Sequence, residues 1–278
     1  MRSLQGVVNA RWHAFRFEAE IGPPHHDTVM TLRAKPGLVL VPGLLCDELM
    51  WRPQLAALAA VADCWVADHA RSETMADVAA DVLRQAPFEK FALAGLSMGG
   101  YVALEMMRQA AQRVLKLALL DTTARADTPE QTRRRRDLIS LAARGRFIGI
   151  TDILLPMLIH RSQLANRELA STIKRMAKNT GRDAFIRQER AIISRTDSLP
   201  LLSRIDCPTL ILCGRQDALI AVALHEEMAA RISGSKLEIV EECGHLSTLE
   251  RPVETSAALA RWLEPSRSSV RSKSRRVK

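Results

Sequence analysis

The sequence predicts an α/β protein built on a mostly parallel, doubly wound sheet with an inserted helical cap. Short apolar runs alternate with amphipathic helical patterns from residue 36 to about residue 124. Only helical patterns follow, up to about residue 204, and the alternation then returns until residue 264. Such alternation is typical of parallel sheets whose strands are joined by helices on both faces.

The first part of the chain predicts four strands and three helices. Each strand is a short apolar run that ends at a turn signal, as Leu38 to Val41 ends at Pro42-Gly43. The predicted strands cover residues 38–41, 64–67, 90–94 and 116–120, and the predicted helices cover residues 51–60, 74–85 and 101–109.

The helical insertion starts with a clear capping signal. Thr128 is followed by Pro129 and, three positions on, by Gln131, which together predict a helix N-terminus. Further helices are predicted over residues 150–160, 164–178 and 183–193; strands then return at 209–213 and 236–240, with helices at 222–232 and 253–263. An insertion of helices between two strands is expected to cover the carboxyl edge of the sheet.

Four regions are predicted from these patterns. Residues 36–124 and 205–264 form the core, residues 125–204 form the helical cap, and residues 1–35 form an N-terminal extension of uncertain structure. Alternating apolar and charged residues at 15–21 predict a strand in that extension. Residues 265–278 hold six of the nine units of net positive charge, and this serine-rich basic tail is predicted to be disordered.

Composition narrows the function classes. Hydrophobic residues at 47% and charged residues at 26% are typical of soluble globular domains. No apolar run is long enough for a membrane span, and no signal-peptide pattern is recognised. Five scattered cysteines without metal-site spacing predict reduced thiols, a cytoplasmic location and no metal or cofactor. Because the excess charge lies in the tail, no specific nucleic-acid partner is expected.

Ser97 is the candidate nucleophile, in Gly95-Leu96-Ser97-Met98-Gly99. The pattern alone is weak, but a strand precedes this serine and a helix follows it. A nucleophilic serine at such a turn needs small neighbours, because the chain reverses too tightly for bulky ones. Gly95 and Gly99 meet that requirement.

A serine hydroxyl needs a base that takes its proton and an acid that orients the base. His245 follows the strand predicted at 236–240 and is the candidate base, since His225 lies within a helix and His160 within the cap. Asp217, just after the strand predicted at 209–213, is the preferred acid. Asp121, after the strand predicted at 116–120, is the alternative.

The oxyanion of an acyl transfer requires two hydrogen-bond donors. Met98, directly after the nucleophile, is predicted to supply one backbone N–H. Leu44, in the loop that begins Pro42-Gly43, is predicted to supply the other.

These motifs together resemble the α/β-hydrolase superfamily over residues 36 to 264. The elbow Gly-Leu-Ser-Met-Gly-Gly is similar to that of small bacterial esterases and enol-lactonases. Two departures stand out: Pro42-Gly43 replaces the His-Gly of many members, and residues 68–72 replace a longer proline- and glycine-rich loop. The second departure suggests a different pocket edge.

The cap offers two ambiguous patterns. Arg133 to Arg136 fan around one predicted helix, so at most one or two of them can face a pocket, and a solvated face is favoured. Ile153, Leu154, Met157 and Leu158 have helical spacing and are interpreted as cap packing. If some of them line a pocket instead, an apolar acyl group is expected.

The predicted function is hydrolysis of a small carboxylic ester or lactone through an acyl-enzyme, without a cofactor. Ser97, His245 and Asp217 act as the triad, and the Leu44 and Met98 N–H groups bind the oxyanion. Enol-lactone hydrolysis, C–C bond hydrolysis and acyl transfer remain open with the same triad. From another class, a ligand receptor on the same scaffold with low turnover also remains open.

Overall fold

The computed structural model of the protein describes residues 35–265. The strand predicted at residues 15–21 and the basic tail lie outside this range. None of the helices between residues 35 and 265 combines the length and the hydrophobicity that a membrane span requires.

Six parallel strands form one sheet, as the alternating pattern predicted. The spatial order is β2-β1-β3-β4-β5-β6, so the direction of strand addition reverses between β1 and β3. The strands are β1 (Gly37–Val41), β2 (Asp63–Val66), β3 (Phe91–Leu96), β4 (Val114–Leu120), β5 (Thr209–Gly214) and β6 (Lys236–Val240). Each predicted strand from residue 36 onward matches one of them within two residues at either end.

Helices join the strands. They are α1 (Arg52–Leu58), α2 (Met75–Gln85), α3 (Met98–Ala110), α4 (Pro129–Leu141), α5 (Ile148–Leu158), α6 (Arg167–Ile193), α7 (Leu199–Leu202), α8 (Val222–Arg231), α9 (Ser247–Glu250) and α10 (Pro252–Leu263). The capping box predicted at Thr128 is present, with Thr128 and Gln131 each accepting the other's backbone N–H. The short helices α7 and α9 were not predicted, because four residues give no helical period.

The two helices predicted at residues 164–178 and 183–193 correspond to the two halves of α6 (Arg167–Ile193), which are divided by a kink at Gly181, where the backbone is non-helical with φ 80° and ψ 167°. Glycine takes this backbone conformation without the Cβ penalty that other residues meet. The apolar pattern is interrupted near residue 180 because the helical backbone is broken there.

Strand register brings the carboxyl ends of the central strands to one edge. Leu96 at the end of β3 pairs with Leu120 at the end of β4, and Gly214 at the end of β5 pairs with Val240 at the end of β6. All six residues of β3 are buried, as expected for a central parallel strand covered on both faces. The turns after β3, β4, β5 and β6 therefore lie next to one another at the same edge of the buried sheet.

Candidate active site

Ser97 sits in a strained turn between β3 and α3. Its φ is 56° and its ψ is −116°, a backbone conformation that non-glycine residues rarely adopt. A Cβ added to Gly95 would lie 2.1 Å from the Gly99 carbonyl oxygen, and one added to Gly99 would lie 2.1 Å from the Val41 carbonyl oxygen. Any side chain at residue 95 or residue 99 would therefore clash with the backbone. This is the steric requirement for small neighbours on which the prediction of Ser97 was based.

His245 follows β6 and reaches Ser97. Its Nε2 lies 2.8 Å from the Ser97 hydroxyl oxygen. The backbone N–H of His245 donates to the Leu158 carbonyl of α5 over 3.1 Å, so the loop that carries the imidazole is fastened to the helical segment, residues 125–204. The side chain is 3% exposed, which protects the contact with Ser97 from bulk water.

Asp217 follows β5 and contacts the other ring nitrogen of His245. Its Oδ2 lies 2.7 Å from His245 Nδ1, while Oδ1 accepts the backbone N–H groups of Leu219 and Ile220 over 2.8 and 3.0 Å. Burial raises the pKa of Asp217, but the attraction of His245 and these hydrogen bonds outweigh it, and the pKa is lowered. The carboxylate is therefore held ionised and oriented toward the imidazole.

The same contacts set the protonation of His245. Burial lowers the pKa of this imidazole, whereas the charge and hydrogen bond of Asp217, with smaller effects of Asp121 and Glu250, raise it. The attractive effects prevail, so the pKa lies above the ordinary value of 6.5. A proton accepted at Nε2 is therefore stabilised by the neighbouring carboxylate.

Asp121, the alternative acid, makes different contacts. It is fully buried, and Oδ1 accepts the Gly214 backbone N–H over 2.9 Å while Oδ2 contacts the hydroxyl and N–H of Ser247. Burial, and then the charge of Asp217, raise the pKa of Asp121 to about 8. Asp121 therefore links β4 to β5 and α9, and it is Asp217 that touches His245.

The predicted oxyanion donors lie beside Ser97. Met98 is the first residue of α3, so its N–H has no acceptor within the helix. A Cβ added to Gly43, the residue before Leu44, would lie 3.6 Å from the Ser97 Cβ. Among residues 35–265, neither the Leu44 N–H nor the Met98 N–H has a protein acceptor, whereas the Leu45 N–H donates to Gln188 Oε1 over 3.1 Å.

A cavity of about 500 Å³ opens next to Ser97 and His245. Its walls are largely apolar, and both the core and the helical segment contribute apolar side chains; those of the helical segment include Leu138, Leu154, Met157, Leu158, Ile173 and Ala177. Three of the four residues interpreted as cap packing thus line the cavity, while Ile153 is 60% exposed.

The prediction of a solvated face for the four arginines is wrong for Arg135. Its Nε donates to Asp127 over 2.7 Å and its Nη1 to Glu189 over 2.8 Å, and its side chain is only 20% exposed. Arg195, stacked 4.2 Å from the centre of the Tyr101 ring, completes a buried cluster by contacting Asp127 over 2.7 Å. The cluster lines the polar side of the cavity.

The two histidines that the sequence analysis did not favour have hydrogen-bond partners other than Ser97. His225 Nε2 accepts the Thr122 backbone N–H over 3.0 Å, and His160 Nδ1 contacts the Ser162 hydroxyl over 2.7 Å. In the described part of the chain no three His, Cys, Asp or Glu side chains are grouped as metal ligands. The five cysteines are free thiols.

Comparison with solved structures shows close agreement in fold. A thermophilic esterase from Thermogutta terrifontis matches with a TM-score of 0.76 and 30% identity, over 82% of this chain and 89% of that one. The enol-lactonase from Burkholderia xenovorans LB400 matches with a TM-score of 0.76 and 24% identity, over 82% and 91% of the two chains. At that lower identity the second match shows the fold alone.

Sequence comparison gives relatives of similar length. A protein of Serratia proteamaculans that carries the provisional name carbamate hydrolase RutD is 28% identical over 82% of this chain and 91% of its own. The model of the alpha/beta hydrolase fold family matches residues 36–252, which is most of the chain. The protein is therefore a member of the α/β-hydrolase family.

Proposed function

We propose that the protein is a serine hydrolase that cleaves a small carboxylic ester or lactone through an acyl-enzyme intermediate. The observation that carries the proposal is the chain of two short contacts from Ser97 through His245 to Asp217, 2.8 and 2.7 Å long. These three side chains come from three separate turns, and each contact has the length of a charge-assisted or strong neutral hydrogen bond.

In the first half of the reaction, Ser97 Oγ attacks the carbonyl carbon of the substrate. His245 Nε2 accepts the hydroxyl proton, and Asp217 stabilises the imidazolium that forms. The carbonyl oxygen acquires negative charge, which the N–H groups of Leu44 and Met98 bind. A preorganised donor at this position typically contributes a factor of about 10² to 10³ in kcat.

In the second half, the proton held by His245 passes to the leaving oxygen, and the C–O bond breaks to leave an ester on Ser97. Water then enters, loses a proton to His245 and attacks the acyl carbon. The acid is released as the proton returns to Ser97 Oγ. For a lactone the leaving hydroxyl stays attached to the acyl group, so one open-chain hydroxy or oxo acid is the product.

The cavity supports a small substrate with an apolar acyl group. Leu154, Met157 and Leu158 line it on the side of the helical segment, and its volume of about 500 Å³ lies within the usual range for small-molecule sites. We propose that residues 125–204 act as the cap that encloses this substrate over a core formed by residues 36–124 and 205–264. The name of the Thermogutta terrifontis relative, an esterase that is 30% identical to this chain, supports an ester bond as the target.

The proposal is tested with p-nitrophenyl esters of increasing acyl length, together with a lactone and a carbamate. We expect turnover of short and medium acyl esters by the parent protein, and a loss of at least about 10⁴-fold in kcat for Ser97→Ala. Equal rates for the parent and Ser97→Ala would contradict the proposal. Ligand binding without turnover of any compound would instead favour the alternative hypothesis, a ligand receptor on the same scaffold.

A further inference from the structure

The loop that carries the proposed oxyanion donor, residues 43–46, is held by side chains from two distant segments. His69 Nε2, from the loop after β2, lies 3.2 Å from the Gly43 carbonyl oxygen. Gln188, on α6 of the helical segment, accepts the Leu45 N–H through Oε1 over 3.1 Å. Its side-chain nitrogen also lies 3.3 Å from His69 Nε2, so the two side chains meet behind residues 43–46.

Holding the Gly43 carbonyl fixes the direction of the Leu44 N–H. The two groups belong to one peptide unit, which is planar and trans, so they point in opposite directions. The Gly43 oxygen faces His69 and also accepts the Cys46 N–H over 3.2 Å. The Leu44 N–H therefore points away from that side of the loop and stays without a protein acceptor in the described range.

Gln188 holds the next peptide unit in an unfavourable backbone conformation. Leu45 has φ 58°, a left-handed backbone conformation that a residue with a Cβ rarely adopts. Such a conformation persists only where its surroundings enforce it. The hydrogen bond from the Leu45 N–H to a fully buried Gln188 provides that enforcement, since no water reaches it to compete.

We propose that His69 and Gln188 are positioning residues, which hold residues 43–46 so that the Leu44 N–H is aimed at the oxyanion. The inference rests on the proposed function, because it concerns the same oxyanion. His69 is 3% exposed, and burial lowers its pKa to about 4. The ring is thus neutral near pH 7, and we assign its N–H to Nε2, where it donates to Gly43. With that assignment the 3.3 Å approach of the Gln188 side-chain nitrogen to Nε2 is a packing contact and not a hydrogen bond. The short loop that departs from the family pattern, residues 68–72, supplies this donor.

Two pairs of variants separate positioning from general stability. His69→Leu removes the donor to Gly43, whereas His69→Gln keeps a side-chain N–H. Gln188→Leu removes the acceptor of the Leu45 N–H, whereas Gln188→Glu keeps an oxygen there. Gln54→Leu is the matched control, because Gln54 is another fully buried glutamine that hydrogen-bonds to Thr248 and Ser256 instead.

Two measurements are made on each variant whose folding is confirmed by circular dichroism. The first is kcat and KM on the best p-nitrophenyl ester. The second is the affinity for a trifluoromethyl ketone, whose adduct with Ser97 places an oxyanion between the same N–H donors, with the methyl ketone of the same chain as a ground-state control.

We expect His69→Leu and Gln188→Leu to lose about 10- to 100-fold in kcat with KM changed less than threefold, as for a misplaced catalytic group. Affinity for the trifluoromethyl ketone should fall in parallel, and that for the methyl ketone should not. His69→Gln and Gln188→Glu should recover most of the loss, and Gln54→Leu should keep its kcat.

A folded His69→Leu or Gln188→Leu protein with kcat within twofold of the parent would overturn the inference. A loss of kcat without loss of trifluoromethyl ketone affinity, or an equal loss in Gln54→Leu, would overturn it too. If one leucine variant fails to fold, the other decides. Failure of the proposed function is distinguishable, because then the parent itself neither turns over esters nor binds the trifluoromethyl ketone covalently.

Discussion

The polar groups of the sheet edge and those of the helical segment are buried in different ways. At the sheet edge, Ser97, Asp217 and His245 each lie within five residues of the end of a strand, and parallel strand register brings the three turns together. In the helical segment, Arg135 and Glu189 are 54 positions apart and meet only because α4 packs against α6. One arrangement follows from local sequence and topology, and the other depends on helix packing.

Because of this difference, we expect substitutions in the two regions to affect different properties of the protein. The sheet edge is supported by buried backbone hydrogen bonds, so a change in Asp217 should alter chemistry more than folding. The ion pairs of the helical segment are buried and mutually dependent, so a change there should alter folding first. Gln188 connects the two regions, since it lies beside Glu189 on α6 and contacts Leu45 of the core.

The largest effect expected is on activity at the sheet edge. Asp217→Asn should lower kcat by about 10² to 10⁴-fold, because the imidazolium loses its counter-charge and the histidine its correct tautomer. Asp121→Asn should lose less than about fivefold, since Asp121 contacts Gly214 and Ser247 and not the imidazole of His245. Steady-state rates on one ester suffice, and a larger loss in Asp121→Asn would reverse the assignment of the acid.

The next effect is on stability in the helical segment. Arg135→Leu leaves two buried carboxylates, on Asp127 and Glu189, with only Arg195 beside them, and should lower the free energy of unfolding by about 3 to 5 kcal/mol. Arg136→Leu, the exposed neighbour, is the control and should change it by less than about 0.5 kcal/mol. Urea denaturation measures both.

A double variant sharpens that test. Arg135→Leu combined with Glu189→Leu leaves a balanced pair of Asp127 and Arg195, so it should be more stable than Arg135→Leu alone. If the double variant is the less stable of the two, the cluster is held by packing of the side chains and not by charge compensation.

The pH dependence tests the contact between Asp217 and His245. His245 must be neutral to accept a proton, and its pKa is raised, so kcat/KM should fall on the acid side with a midpoint above 6.5. Loss of the Asp217 carboxylate should shift the midpoint of the residual activity downward. An unchanged midpoint in Asp217→Asn would show that another group controls the acid side.

The smallest effect concerns the start of α4. Thr128→Ala removes the side-chain oxygen that accepts the Gln131 N–H, and should lower the free energy of unfolding by about 1 kcal/mol. Thr128→Ser keeps that oxygen and serves as the control. In thermal denaturation, Thr128→Ala should have a lower midpoint than Thr128→Ser. Equal midpoints would mean that the N-cap hydrogen bond of α4 contributes nothing to stability.

The sequence was informative where a short pattern determines the geometry. A strand followed by Gly-x-Ser-x-Gly requires a tight turn, and the strand ends placed Asp217 and His245 at the same edge. The capping box at Thr128 could be predicted because it, too, depends only on residues that are close in sequence. The interrupted helical period near residue 180 likewise predicted two helices, and a non-helical Gly181 divides α6 there.

Pairings between distant segments could not be predicted. The contact of Gln188 with Leu45 spans 143 positions, and neither residue carries a local signal of it. For Arg135, helical periodicity limits how many of the four arginines face inward but does not say which one. Only the packing of α4 on α6 decides that, by placing Glu189 opposite it.

The central claim is that Ser97 is the nucleophile. Reaction with a fluorophosphonate, followed by intact mass measurement and peptide mapping, tests it most directly. We expect one adduct per chain, located on Ser97, formed slowly in Asp217→Asn and absent in Ser97→Ala. A parent protein that stays unlabelled, or an adduct that persists in Ser97→Ala, would contradict it.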